Sequence, residues 1–481
     1  MLYPLDELYQ MFYAFHEDFA LWILIFAVIF GFILSFAVGA NDSANSWGTP
    51  VGAGTISFGV AVLCGAVMET TGAILLSSGV VNSVAGSKSV VNISLYTSNN
   101  ETEWERFQGG GQYLMGERYL MLGMLSSMVA SQAFQLGATY VGWPVSGTHA
   151  IISSLAGFTL VEKGLAGVVP GAANPLCASG IYKVLWGLLL SPILALFIGL
   201  MIYYLVYSLA VSKGDPTDSR NKIIYSTCVF MMFTCVGFSF STAKRFQAPT
   251  LITTDYCLDP NKSLFGLLVG LACGLLVSVP FHFLILPRLL RSMKEFHLSL
   301  GFLKKKMEKR GREDTTNIET VVMHKIDSDN NVTTVDVGEG DHEEFSEAQE
   351  IKNVFRPLQF IVACFAALNH GGNDVANCIG PLVTIWFIYK KPIGYDTTVD
   401  EPIWMAWGGI GISLGLLMFG RRVIMTMGTK ITPMTPSLGF VVVLSASLVV
   451  MLCTFLGIPV STTHCQVILS SDWLTHNNTL F

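Results

Sequence analysis

The sequence predicts an all-α polytopic membrane fold, an inverted-topology repeat with broken helices and re-entrant hairpins, whose second repeat lacks its final C-terminal helices. Three observations predict it. The chain of 481 residues is 52% hydrophobic and 13% charged, with a mean hydropathy of +0.54, outside the usual range of soluble domains. Apolar runs long enough to cross roughly 30 Å of hydrocarbon recur along it. Two polar motifs embedded among those runs each occur twice.

Taken in order, residues 1–18 carry Asp6, Glu7, Glu17 and Asp18 and read as an extracellular N-terminus, although acidic residues contribute little to orientation. No lysine or arginine precedes Lys88, so the basic start of a cleaved signal peptide is absent and the run from Phe19 to Ala40 stays as a membrane helix. Further spans are expected near 56–78, 119–141, 181–211, 223–241, 264–287, 354–372, 403–420 and 438–458. The domain reading is a first transmembrane repeat at 19–211, connecting helices at 212–287, a linker at 288–353 and a second, inverted and truncated repeat at 354–481.

Arg288, Arg291, Lys294, Lys304, Lys305, Lys306, Lys309, Arg310 and Arg312 crowd the start of that linker, which places it in the cytoplasm. The basic part suits an anionic lipid surface, or plain positive-inside topology. The remainder is acidic, with Glu339, Asp341, Glu343, Glu344 and Glu347 and few aromatics, so the segment reads as disordered. Counting back puts 212–222 inside, with 79–117 and 242–262 outside; sequons at Asn92, Asn100 and Asn261 agree with the outside assignment and suggest a glycoprotein. Lys390 and Lys391 land outside, against the rule. The ten cysteines show no metal-binding spacing, and Cys177 and Cys257 fall in two outside loops where they could pair.

The repeats carry the functional information. Asn41, Asp42, Ala44, Asn45, Gly48 and Val51 recur as Asn373, Asp374, Ala376, Asn377, Gly380 and Val383 at one constant spacing. Pro144, Val145, Ser146, Thr148 and His149 recur as Pro459, Val460, Ser461, Thr463 and His464. Seven spans, an odd number, are expected between the two copies of the first motif, counting one in a short or broken segment beyond those given, so the second copy is upside down and a ligand site is expected at the midplane between the halves. Polar, Gly- and Pro-containing interruptions survive in a bilayer only where they face a protein-lined cavity.

In the PVSxTH element a proline opens a half-helix and leaves free N–H groups, the positive end of the dipole and hydroxyls aimed at one point, an anion site. Ser146, Gly147, Thr148, Ser461, Thr462 and Thr463, with Asn45 and Asn377, are the candidate ligands of a small tetrahedral oxyanion. Asp42 and Asp374 would repel it, and neither motif holds an arginine or lysine. Oxygen atoms of Asn41, Asp42, Asn45, Asn373, Asp374 and Asn377 are hard ligands suited to sodium, which would make anion binding conditional on cation binding. The plainer reading of each motif alone is interhelical hydrogen bonding at a close helix crossing. Duplication with an embedded aspartate favours function, because carboxylates inside a membrane default to it. Glu69 is another intramembrane acid, read as a cation-site or gating residue or as a structural partner; His149, His370 and His464 adjoin the motifs as proton relays or orienting groups.

The stretches GANDSAN, GGNDVAN, PVSGTH and PVSTTH, with ETTGA, GRRVI and ITPMTPS, resemble the PiT inorganic phosphate transporters, sodium–phosphate symporters. The resemblance runs from about Phe19 to His464 and spares the linker. It implies a multi-pass plasma-membrane protein that is no enzyme and binds no cofactor, with inorganic phosphate, sodium or a proton, and the lipid bilayer as partners and no nucleic acid. An oligomer or a partner chain stays open. Where the family usually carries a glutamate upstream of each PVSxTH serine, this chain has Met124 and Val443, which bears on sodium coupling and stoichiometry. After His464 only residues 465–481 remain, so the closing helices of the second half are expected to be missing. The function expected is cation-coupled phosphate import by alternating access. The alternatives are a phosphate-binding sensor or receptor that does not transport, a proton-coupled phosphate permease, and a cation channel, disfavoured because the motifs meet at one point rather than forming rings.

Overall fold

An apolar run without proline makes a continuous first helix, α1 (Leu5–Asn41), which ends where Asn41, Asp42 and Ser43 bring in side chains that compete with the helical backbone. A tight turn follows, with Asn45 N–H donating to Asp42 O, and the chain resumes as α2 (Ala44–Gly52). The computed structural model describes residues 5–77, 80–81, 84, 89–97, 115–171, 180–206, 219–242, 260–288, 323–326, 332–335, 341–390, 402–430, 435–456 and 458–470. Beyond α2 come α3 (Phe58–Leu76), α4 (Met115–Val141), α5 (Gly147–Lys163), α6 (Gly180–Val206), α7 (Ser219–Thr242) and α8 (Pro260–Pro280). The second half supplies α9 (Asp341–Lys390), α10 (Pro402–Met425), α11 (Pro436–Phe455) and α12 (Thr462–Ser470). A hairpin lies between, β1 (Met323–Ile326) antiparallel to β2 (Val332–Val335).

Among the described residues, seven helical segments are long and apolar enough to cross a membrane: Phe19–Gly52, Phe58–Leu76, Gly147–Gly167, Gly180–Val206, Phe265–Arg288, Pro402–Gly428 and Pro436–Thr454. Two differences from the sequence reading have a physical reason. The stretches 119–141 and 354–372 do lie in long helices, α4 and α9, but buried Gln132, Gln135, Asn369, His370, Asn373 and Asp374 lower their hydropathy. Conversely, the first PVSxTH element opens a helix of full spanning length, α5, rather than a short re-entrant half-helix.

The two NDxAN copies also differ. The first sits at the α1–α2 break, whereas the second lies inside unbroken α9, with Val375 at the place of Ser43. Of the expected linker 288–353, the structure describes Arg288, the β hairpin and the start of α9, which begins at Asp341 rather than at 354. Cys177, Cys257, Asn100 and the basic stretch 291–312 lie outside the described residues. Asn92 is described, and its amide donates to Ala166 O at 3.2 Å while Ser94 Oγ donates to its Oδ1 at 2.6 Å.

Small residues set the two central crossings. A Cβ on Gly39 in α1 would lie 1.9 Å from Ile412 O, and one on Gly415 in α10 would lie 1.9 Å from Phe36 O. Likewise a Cβ on Gly371 in α9 would lie 2.0 Å from Glu69 O, and one on Gly72 in α3 would lie 1.9 Å from Leu368 O. Only glycine permits such backbone approach. Gly39 and Gly371 hold equivalent places in the duplicated motif, so α1 crosses α10 in the register in which α9 crosses α3. Around these crossings one apolar cluster includes Leu34, Val38, Met124, Ile151, Val375 and Ile412, and a second includes Phe355, Phe440 and Val443. α6 packs on α11 and α12, while α7 and α8 pair as a hairpin.

Candidate functional site

Each PVSxTH element is extended up to its serine, and that serine starts the following helix. Ser146 Oγ accepts from His149 N–H at 3.3 Å and pairs with His149 Nδ1 at 2.5 Å; Ser461 Oγ accepts from His464 N–H at 3.1 Å and pairs with His464 Nδ1 at 2.7 Å. Both serines therefore act as N-caps. The two imidazoles face each other with ring centroids 4.6 Å apart.

Asparagines of the NDxAN copies hold these elements. Asn41 Nδ2 donates to Trp143 O at 2.9 Å and to Thr139 Oγ1 at 3.0 Å, and its Oδ1 accepts from Val145 N–H at 2.9 Å. Asn373 Nδ2 donates to Val460 O at 3.0 Å. The second asparagine of each copy reaches the opposite half: Asn45 Nδ2 donates to Thr462 Oγ1 at 3.0 Å and Thr463 Oγ1 at 2.8 Å, and Asn377 Nδ2 donates to Thr148 Oγ1 at 2.9 Å. The threonines complete a reciprocal exchange, Thr148 Oγ1 donating to Val460 O and Thr463 Oγ1 to Val145 O, each at 3.0 Å. Residues more than 300 positions apart in sequence thus form one buried knot.

The acids lie inside it. Asp42 Oδ2 accepts from Gly147 N–H at 3.1 Å, at the first turn of α5. A Cβ on Gly147 would come within 2.6 Å of that oxygen, so glycine is the residue that lets the carboxylate reach the helix end. Asp374 Oδ1 accepts from Asn373 Nδ2 at 2.9 Å and Asn377 Nδ2 at 3.0 Å, with Thr148 Oγ1 at 3.3 Å, and its Oδ2 lies 3.4 Å from Thr462 Oγ1. His370 Nε2 stands 3.1 Å from Asp374 Oδ2, and His370 Nδ1 stands 3.5 Å from Glu69 Oε2, which also accepts from Ser43 Oγ at 2.9 Å. His370 bridges the two acids. Val38 and Ile412 hold the equivalent places of His370 and Glu69 in the other half, so among the described residues this acid–imidazole–acid bridge exists once.

Several buried acceptors at the knot have no hydrogen-bond partner among the described residues: Asp42 Oδ1, Glu69 Oε1, Asn373 Oδ1, Asn377 Oδ1 and Gln135 Oε1. Asp42, His370 and Asp374 each offer a ligand atom within 4.8 Å of the others. Buried and rich in oxygen acceptors without partners, the cluster suits a hard cation better than a soft metal. A cavity of about 20 Å³ opens beside it, lined in part by Asn45, Asn369, His370, Thr462 and Gln466, with room for about one water-sized particle.

All the residues singled out in the sequence lie at this knot, in two roles that sequence did not separate. Thr148, Thr462, Thr463 and Gly147 N–H turn their donors to the centre, whereas Ser146 and Ser461 spend theirs on capping and on the histidines. Ser43, Gln135 and Thr139 were missed; the run of polar residues Ser131, Gln132, Gln135 and Thr139 in α4 was the available signal.

Comparison with known proteins agrees with this architecture. The chain is 30% identical over 445 residues to the chloroplastic inorganic phosphate transporter 2-1 of Arabidopsis thaliana, covering 92% of this chain and 64% of that one, so it spans just under two thirds of that relative's length. It is 25% identical over 619 residues to sodium-dependent phosphate transporter 1-A of Danio rerio, covering 94% and 89%. A solved structure of a sodium-dependent phosphate transporter superposes with a TM-score of 0.68 at 25% identity, covering 94% of this chain and 89% of that one. The phosphate transporter family profile matches residues 38–468. A multi-span helical membrane protein whose motif pairs close into one knot, matched by that profile over most of its length, belongs to the phosphate transporter family.

Proposed function

We propose that the protein is a sodium-coupled inorganic phosphate symporter that imports phosphate across the plasma membrane by alternating access between two inverted repeats, residues 19–211 and 354–481, joined by helices at 212–287 and a cytoplasmic linker at 288–353. The observation that carries this reading is the placement of Asp42 on the N–H group of Gly147, at a helix start where an anion would bind. The carboxylate and phosphate compete for one place. Sodium held by Asn41, Asp42, Asn45, Asn373, Asp374 and Asn377 engages acceptors such as Asp42 Oδ1, Asn373 Oδ1 and Asn377 Oδ1 and draws Asp42 off the start of α5.

Gly147 N–H and Thr462 Oγ1 are then free to donate to phosphate, and Thr148 and Thr463 join them once their bonds to Val460 O and Val145 O break, with Asn45 and Asn377 beside them and Ser146 and Ser461 holding the helix starts in place. An unpaired charge in this dry centre costs several kcal/mol, so neither ion binds well alone, and that dependence is the coupling. The cavity of about 20 Å³, walled by α2, α9, α11 and α12, is too small for phosphate and must widen to admit it; the donors on α5 and α12 are engaged across the contact between these two helices, so an anion held by both sets parts them. Glu69 and His370 make the asymmetric bridge to Asp374 and serve as gating groups, and the His149–His464 pair marks the seam that opens.

A second reading, a proton-coupled permease, is favoured by His370, which stands between two acids where a proton could take the place of a cation. Met124 and Val443, buried in apolar clusters, add no carboxylate for a further sodium. Radiolabelled phosphate uptake into proteoliposomes under a sodium, choline or proton gradient separates these readings. Sodium-driven uptake supports symport, and uptake driven only by protons supports the permease. Phosphate binding without uptake under any gradient points instead to a sensor.

A further inference from the structure

A cationic surface feature lies outside the central knot. A cavity of about 540 Å³ sits where the end of α10 meets the end of α4, with Arg421 and Arg422 in its wall beside Gly142, Met418, Phe419 and Met425. Both arginines are exposed, and no acidic side chain lines the cavity. Arg422 Nη1 donates to Tyr140 O at 2.8 Å and the guanidinium lies 5.3 Å over the Tyr140 ring, which fixes one of its faces and leaves other N–H groups available. Among the described residues, neither arginine pairs with a carboxylate.

Depth sets the class of ligand. From Pro402 to Arg422 the helix rises about 30 Å, the thickness of the hydrocarbon layer, so the arginine pair stands at the membrane boundary. Next to it Tyr140, Trp143 and Met418 are 75%, 68% and 64% exposed, a lipid-facing surface with aromatic rings at headgroup level. A free phosphate finds few further polar partners in such a wall. A lipid fits both parts, its phosphate on the guanidinium groups and its chains along Met418, Phe419 and Met425.

We propose that this cavity binds the headgroup of an anionic glycerophospholipid. In the orientation proposed above the leaflet is the cytoplasmic one, where anionic lipids are found. The site adjoins the central knot through a short path. Gly142, at φ +76°, makes the turn into Trp143, whose carbonyl Asn41 grips one residue before Asp42.

The test uses the full-length protein in nanodiscs of phosphatidylcholine alone or mixed with phosphatidylglycerol, with co-purified lipid counted by native mass spectrometry. The expected result is selective retention of phosphatidylglycerol, reduced on the order of tenfold in Arg421→Gln. Inorganic phosphate at millimolar concentration leaves the retained lipid in place. Equal retention of both lipids, unchanged retention in Arg421→Gln, or displacement by inorganic phosphate would each overturn the proposal. Arg421 makes none of the contacts that Arg422 makes to Tyr140, so its substitution does not disturb the α4–α10 junction. The readout is binding, so its failure is separate from any failure of transport.

Discussion

Asp42 and Asp374 are 2% and 1% exposed; Asp42 accepts from Gly147 N–H of its own half and keeps Oδ1 without a partner, whereas Asp374 meets amide and hydroxyl donors of both halves. Asp42→Asn and Asp374→Asn keep size and remove the charge, so they test neutralisation by a cation rather than packing. Each is expected to abolish sodium-driven uptake in proteoliposomes while the protein still elutes as a folded species. Wild-type uptake with an unchanged sodium dependence in either variant would sink the coupling argument. Ser146→Ala and Ser461→Ala test a different role. Both hydroxyls cap a helix and hold a histidine, so each loss is expected to lower stability by about 1 kcal/mol, by comparable amounts, as read from thermal unfolding. A large fall in phosphate affinity with unchanged stability would show instead that the serines touch the anion directly. Sequence placed these residues at one site through their duplication, but a hydroxyl that caps and a hydroxyl that points inward look alike in a motif. Only the φ/ψ change at Ser146, extended before a helical Gly147, tells them apart.

At the scale of the elements, hydropathy marked the lipid-facing helices well and the functional ones poorly, for one physical reason. α4 and α9 carry the buried polar side chains of the knot, and those same side chains weaken the apolar signal by which a span is recognised. The reverse holds for α5, which a proline-led polar motif disguised as a short half-helix although its later turns are apolar enough to span. The break after Asn41 was legible, whereas its absence at Asn373 was not, since the motif letters are the same and only Ser43 against Val375 differs. The glycines in α10 gave no sequence warning of their role. Gly415→Ala puts a methyl group where Phe36 O stands and must push α1 and α10 apart. The expected outcome is a drop in melting temperature of the detergent-solubilised protein, with Gly137→Ala, whose Cβ meets nothing within 4 Å, as the harmless control. Equal melting temperatures for the two variants would mean that the crossing tolerates separation.

Over the whole molecule the two halves meet at a seam made of matched contacts, and a matched seam has a direct mechanical consequence. Thr148 on Val460 and Thr463 on Val145 at equal distances, with His149 against His464, join α5 to α12 by paired interactions that break together when the halves rock. On the proposed mechanism phosphate binds between the donors of α5 and α12, which are closed on each other, so the seam opens once in each cycle. A covalent bridge across it should stop transport without touching the ion ligands. His149→Cys with His464→Cys places thiols where two rings now lie 4.6 Å between centroids, on the half-buried rim rather than on the carboxylates. The capping serines keep their backbone bonds to both helices in this variant, so each helix start is preserved. Uptake is expected to proceed under reducing conditions, to fall to background after oxidation and to return on addition of reductant, with each single variant insensitive to oxidant. The native Cys465 neighbours one bridge position but is buried, and the single His149→Cys variant controls for its reaction. Full uptake in a protein shown by mass spectrometry to carry the cross-link would mean that α5 and α12 stay together throughout the cycle, and the rocking of the two halves about this seam would have to be abandoned.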